Sequence, residues 1–185
     1  MHILLSSPAF GGLNLGDDII HESVEREISS LFPGVRIFKT SMHQKRSNPT
    51  RIAEKISQYR FIGGTNALGF YPFRRPHFHH KLYDYINPSK YILLGVGWRS
   101  DKNSFSYGDR ILYKNFLENE NLHSVRDSFT ENKLREIGIK NVVNTSCPTT
   151  WTLTKKIIDK IPKVKSPNVV FTLTDYSKDY KADLT

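Results

Sequence analysis

Ile3-Leu4-Leu5, then Gly11-Gly12-Leu13-Asn14-Leu15-Gly16, then Asp17-Asp18 ahead of Ile20, Val24, Ile28 and Leu31: this opening stretch reads as strand, glycine-rich loop and helix. The three apolar residues suit a buried strand, and the four later ones recur at helical spacing. Asp17 or Asp18 is expected to open the helix, and Pro33-Gly34 to end it. Outward from there the same alternation continues. Val35–Phe38 is expected as a strand, Asn48-Pro49-Thr50 as the cap of a short helix carrying Ile52 and Ile56, and Tyr59–Ile62 as a strand ending in Gly63-Gly64. Beyond a long aromatic and basic loop, a helix is expected near His79–Ile86 and a buried strand over Tyr91–Val96. A helix around Asp109–Leu117, a strand Leu122–Val125, a helix Asp127–Ile137 stopped by Gly138 and a strand at Val142-Val143 complete the series. Strands alternating with helices, with glycines at strand ends, predict an α/β fold: a Rossmann-like, doubly wound parallel sheet.

The pattern changes near the C-terminus. Thr152–Ile161 reads as helix, Pro162–Pro167 as linker, and Asn168–Leu173 as a fresh strand with little chain after it. Residues 1–161 are therefore expected to form one domain, and 162–185 a linker and the start of an incomplete second domain.

Composition narrows the classes of function. In 185 residues, 38% are hydrophobic and 12% aromatic, enough for a core and too many for a disordered chain. The longest apolar run, Tyr91–Trp98, is far shorter than the roughly 20 residues a membrane-spanning helix needs. Met1-His2-Ile3-Leu4-Leu5 lacks a basic leader and a cleavage site, so it reads as a first strand rather than a signal peptide. A single cysteine, Cys147, precludes an internal disulfide and a cysteine-rich zinc site, which points to the cytoplasm. The formal charge of +9 draws anions, whether nucleic acid, anionic lipid or phosphorylated small molecules. The basic residues form no recognisable nucleic-acid-binding motif, so a nucleic-acid partner is not expected.

Several residues are candidates for chemistry. Gly11 and Gly16 have the spacing of a phosphate-binding loop, but Asp17-Asp18 stand where its lysine and hydroxyl belong and would repel phosphate. Asn14 and Asp17 can instead accept hydrogen bonds from sugar hydroxyls; equally, Asp17 can be a helix cap and Asn14 a turn residue. Gly63-Gly64-Thr65-Asn66 and Gly95-Val96-Gly97 follow strands, where a ligand can approach the backbone; tight turns account for the same glycines. Arg126 follows a strand and points into the same crevice, able to grip a carboxylate or phosphate, or else to pair with Asp127. His77, His79 and His80 lack a carboxylate or thiolate at ligand spacing, so no metal is expected. Cys147-Pro148 reads as packing rather than a nucleophile.

Taken in order, Asn14-Leu15-Gly16-Asp17, Gly63-Gly64, Gly95-Val96-Gly97, Ser124-Val125-Arg126-Asp127-Ser128 with Leu134–Gly138, and Cys147-Pro148-Thr149-Thr150-Trp151 resemble the polysaccharide pyruvyl transferase family. The likeness runs from about Met1 to Trp151. Thr65 departs from it, since members often continue the glycine run there. Many members also carry Asp-Pro where this chain has Cys147-Pro148. The resemblance implies a GT-B-like architecture of two α/β domains, of which this would be the N-terminal, acceptor-side one. It also implies transfer of a pyruvyl group from phosphoenolpyruvate to a sugar or lipid-linked glycan of an envelope or exopolysaccharide precursor, as a cyclic ketal, without a cofactor. Arg126 and Asp17 would then be catalytic, with Asn14, Gly16, Gly63, Gly64 and Gly97 binding substrate. A lipid-linked acceptor would bring peripheral association with the membrane. The family's catalytic histidine and a further arginine belong to its C-terminal half and have no counterpart in Asn168–Thr185. A chain ending there is expected to be a truncated form, inactive alone or dependent on a partner chain. A nucleotide-sugar glycosyltransferase half and a non-catalytic carbohydrate-binding module are the alternatives.

Overall fold

Successive residues of a strand face opposite sides of its sheet, and β1 (His2–Ser7) is apolar on both. Ile3 and Leu5 pack with Phe61 and Ile92, while Leu4 packs with Ile62 and Leu93 in a separate cluster. A sheet buried on both sides needs helices on both sides. The computed structural model describes residues 1–12, 14–44, 46–69, 89–99 and 107–171, and within them it has that arrangement. β1 pairs in parallel with β2 (Arg36–Ser41) on one side and β3 (Tyr59–Gly63) on the other. β3 pairs in turn with β4 (Ile92–Leu94), giving the order β2-β1-β3-β4. A parallel pair, β5 (His123–Val125) and β6 (Val142–Asn144), is carried onto the end of β4 by a bridge between Val96 and Val125.

Helix α1 (Leu15–Leu31) covers one face with Ile20, Val24 and Ile28. Three helices contribute to the opposite cluster: α2 (Asn48–Ile56) through Ala53, α3 (Tyr107–Phe116) through Tyr113 and Phe116, and α4 (Ser128–Glu136) through Leu134. The sheet is thus parallel and doubly wound, as the alternation predicts. Strand order reverses between β1 and β3, so their carboxyl ends flank the crevice where open α/β sheets receive ligands.

Polar groups inside this unit are paired across elements. Glu54 on α2 is 3% exposed. It accepts from Arg46 Nε at 2.7 Å and from the Tyr91 hydroxyl at 2.6 Å. Burial, and secondly the Glu54 charge, pushes the Tyr91 phenol above its ordinary pKa. His123, fully buried on β5, accepts from the Leu93 N–H through Nδ1 at 3.2 Å. Its Nε2 lies 2.8 Å from the Glu118 carbonyl, so the ring proton is on Nε2. Burial lowers its pKa.

Boundaries differ from expectation where caps decide them. α1 begins at Leu15 rather than at the aspartates, because Asn14 takes the cap. Ser47, not Asn48, caps α2, with its hydroxyl accepting from Thr50 N–H. The strand expected over Tyr91–Val96 is regular only for Ile92–Leu94; its ends are single bridges, Tyr91 to Leu117 and Val96 to Val125. The basic loop and the helix near His79–Ile86 lie outside the described residues, as do His77, His79 and His80.

By its internal contacts the chain divides into two units, Met1–Thr152 and Leu153–Thr185. In the second, the helix expected over Thr152–Ile161 is a single turn, α5 (Lys155–Ile158). Thr154 gives it no side-chain cap and none of its residues is buried, and so short a helix needs packing to persist. Residues 168–171 form no strand: Val169, Val170 and Phe171 are exposed, and no strand among the described residues supplies their ladder. Thr172 and Leu173 lie outside the described residues. None of the helices among the described residues is long and apolar enough to cross a membrane.

Candidate functional site

Each strand of a parallel sheet delivers its following loop to the same edge. After β1, that edge carries the first turn of α1. Asn14 is extended (φ −97°), and its Oδ1 accepts from the Gly16 N–H at 3.1 Å. Its Nδ2 donates to Asp17 Oδ2 at 3.2 Å, and the Asp17 N–H donates to the Asn14 carbonyl at 2.9 Å. Asn14, Gly16 and Asp17 therefore form one capped turn, with Asp17 and Asp18 placed where the helix dipole favours negative charge.

After β3, Gly63 and Gly64 have a packing reason for lacking side chains. A Cβ on Gly63 would stand 3.0 Å from Val24 Cγ1 and 3.2 Å from Leu5 Cδ1. One on Gly64 would stand 1.9 Å from Ile20 Cγ2, and Gly64 also holds φ +65°. Both glycines let α1 lie against the sheet. Thr65 is left-handed as well, at φ +52°, which explains why a glycine suits that position. Its carbonyl accepts from the Gly97 N–H at 2.7 Å, and the Gly97 carbonyl accepts from the Leu68 N–H at 3.2 Å.

After β5 comes Arg126, whose N–H donates to the Val96 carbonyl at 3.1 Å. Its guanidinium crosses Gly97: a Cβ there would stand 2.3 Å from Arg126 Nε and 2.4 Å from Asn66 Oδ1. The arginine is partly exposed, with its Nε 3.5 Å from Asp127 Oδ2. The other oxygen of that carboxylate, Oδ1, caps α4 by accepting from the Thr130 N–H at 2.7 Å. Asp127 is thus an ion-pair partner of the guanidinium through Nε, and among the described residues no hydrogen bond engages its terminal nitrogens.

The segment following β6 crosses the same edge. Pro148 packs on Gly95, where a Cβ would stand 2.3 Å from its Cγ. The 3-10 turn Pro148–Thr150 lies against α1. Ser146 is a second non-glycine residue in left-handed backbone, φ +67°. The Ser124 hydroxyl accepts from the Gly95 N–H at 3.0 Å and hydrogen-bonds the Thr145 hydroxyl. Cys147 is half-buried, with Thr149 Oγ1 at 3.3 Å from its sulfur.

Gly64, Gly97 and Arg126 are thus joined through direct contacts and backbone hydrogen bonds. Asn14, Gly16 and Asp17 share their edge through α1, whose Ile20 rests on Gly64. No hydrogen bond or ion pair links them to Arg126 among the described residues.

Two side chains at this end of the sheet escape a reading of the sequence. Asn66 travels in the Gly63–Asn66 turn, and no local signal gives it a role; only the strand register sets it beside Arg126. His21 sits on α1, 8% exposed, edge-on to Phe10 at 4.9 Å between ring centres. Its Nε2 lies 3.3 Å from Glu25, while its buried Nδ1 has no hydrogen-bond partner among the described residues. Burial lowers its pKa, opposed by the Glu25 charge.

No curated protein and no solved structure matches the chain. The family model for "Polysaccharide pyruvyl transferase" matches residues 14–184. The match begins at the Asn14 cap, after β1, and takes in the ends of β2 to β6. With most of its length so matched, and with the motifs on one edge of a parallel sheet, the chain belongs to the polysaccharide pyruvyl transferase family.

Proposed function

We propose that this edge binds phosphoenolpyruvate and a sugar of an envelope or exopolysaccharide precursor, and that the protein joins them as a cyclic pyruvate ketal in the cytoplasm. The observation that carries the reading is the Arg126 guanidinium, lying over Gly97 with no hydrogen bond on its terminal nitrogens among the described residues, in a chain of this family. A fork of N–H donors matches a carboxylate or phosphoryl group in geometry and charge.

The chemistry sets what is required. Protonation at the methylene carbon makes C2 of the enol phosphate electrophilic; one sugar hydroxyl adds there, phosphate leaves, and a second hydroxyl closes the ketal. Of the two hydroxyl protons, one balances the new methyl group and the other leaves with phosphate. Arg126 holds the donor's carboxylate or phosphate and offsets the charge that gathers on the departing oxygen. Asp17 takes a proton from an acceptor hydroxyl, and Asn14 hydrogen-bonds a neighbouring one. The backbone at Gly16, Gly63, Gly64 and Gly97 forms the floor they approach.

Calorimetric titration tests this directly. Phosphoenolpyruvate binds the wild type, and Arg126→Ala weakens binding about 10- to 100-fold, the effect of losing a charge-assisted pair. Binding of nucleotide sugars with indifference to phosphoenolpyruvate would refute the donor assignment.

A further inference from the structure

Gly97 lacks a side chain for a reason unlike that of Gly64 or Gly95. It does not occupy the left-handed backbone region that reserves a position for glycine. What it supplies is space, and two polar groups fill that space: Arg126, with Nε at 2.3 Å and Cζ at 2.8 Å from an ideal Cβ, and Asn66, with Oδ1 at 2.4 Å. An amide oxygen and a guanidinium occupy the volume of one methyl group. Asn66 reaches that place from a turn whose preceding residue, Thr65, is held at φ +52° and bonded through its carbonyl to the Gly97 N–H. Left-handed backbone at a threonine costs free energy and persists only where the surrounding structure imposes it.

We infer that Asn66 is a positioning residue: its Oδ1 sets the plane of the Arg126 guanidinium, turning one N–H edge outward as a two-pronged anion receptor. The choice of an amide matters. A second carboxylate beside the guanidinium, added to Asp127 whose Oδ2 stands 3.5 Å from Nε, would satisfy the same geometry but neutralise the charge that draws the ligand. The site therefore selects ligands with two coplanar oxygens on one centre, a carboxylate or a phosphoryl group. The inference rests on the reading of Arg126 as an anion receptor, and it does not depend on which anionic donor the protein uses.

A double-mutant cycle read by calorimetry tests it, with phosphoenolpyruvate and a nucleotide sugar as probes. Asn66→Ala weakens binding of the preferred probe about three- to tenfold, the cost of ordering one freed side chain when the ligand binds. In an Arg126→Lys background, where no planar fork remains to be oriented, the same change has no further effect. Asn66→Asp keeps the shape of the turn and tolerates its backbone, yet weakens binding more than Asn66→Ala does. Gly97→Ala, which displaces the guanidinium, gives a loss of the same order. Equal losses from Asn66→Ala in both backgrounds, or Asn66→Asp binding as well as wild type, would overturn the inference, and so would failure of both probes to bind. Coupling seen with the nucleotide sugar alone leaves Asn66 in its role and removes phosphoenolpyruvate as donor. Phosphoenolpyruvate binding without coupling does the reverse.

Discussion

Replacing Gly64 by alanine drives a methyl group to within 1.9 Å of Ile20 Cγ2, at a residue whose φ is +65°. Two costs add. The left-handed backbone penalises a Cβ by roughly 1–2 kcal/mol. Overpacking a helix against a sheet costs about 1–3 kcal/mol, since Ile20 is β-branched and stiff at χ1. The total, about 2–5 kcal/mol, is a large fraction of an ordinary domain's stability and corresponds to a melting temperature lower by about 5–15 °C. Urea denaturation of wild type and variant gives the difference directly. Ile20→Leu moves the branch from Cβ to Cγ and removes the clashing Cγ2 at nearly constant volume. In that background the alanine costs only its backbone share, so the rescue separates the two terms. An alanine variant as stable as the wild type would refute the claim that α1 requires glycine here. Loss of stability without rescue by Ile20→Leu would assign the cost to backbone strain alone.

Two further outcomes follow from buried groups. Glu54→Ala withdraws a carboxylate from the nearly buried Arg46 and from the Tyr91 hydroxyl, and lowers unfolding free energy by about 3–5 kcal/mol in urea. Arg46→Met with Glu54→Met recovers much of that loss, because an apolar pair of similar volume needs no partner. His123 stays neutral in the folded chain, its pKa held by burial below the ordinary 6.5. The unfolded chain therefore takes up a proton that the folded one refuses as pH falls below that value. Stability is undiminished above about pH 6.5 and declines below it. His21 is shifted in the same direction, so His21→Gln and His123→Gln together flatten the pH dependence of the urea midpoint.

The sheet could be read from local signals because its strands announce themselves. Ile3-Leu4-Leu5 is apolar on both faces, and Gly63-Gly64 and Gly138 mark where elements end. Cap positions could not be placed as well. Asn14 and Asp17 are both good caps, and the choice fell to the hydrogen bond between Asn14 Oδ1 and the Gly16 N–H. The sequence left Gly63 and Gly64 between a tight turn and a ligand approach; the dominant constraint is a third one, the closeness of α1, which depends on where Ile20 and Val24 land. The place of Arg126 after a strand left it open between gripping a ligand and pairing with Asp127, and the structure has the pair. Its other neighbours were not legible, because β3, β4 and β5 lie far apart in sequence and only their register sets Asn66 and Gly97 against it. The expected strand at Asn168–Leu173 shows the converse limit, since an apolar run extends into a strand only where a partner completes its ladder.

The central claim is that an arginine at the carboxyl edge of this sheet serves ketal formation from phosphoenolpyruvate. The most direct test incubates the native protein, with any partner chain it requires, with phosphoenolpyruvate and a panel of envelope glycans, following inorganic phosphate and glycan mass together. Phosphate release matched one for one by glycans heavier by a pyruvate ketal is the expected result, with both lost in Arg126→Ala. Transfer from a nucleotide sugar in place of phosphoenolpyruvate, or ketal formation undiminished in Arg126→Ala, would contradict it.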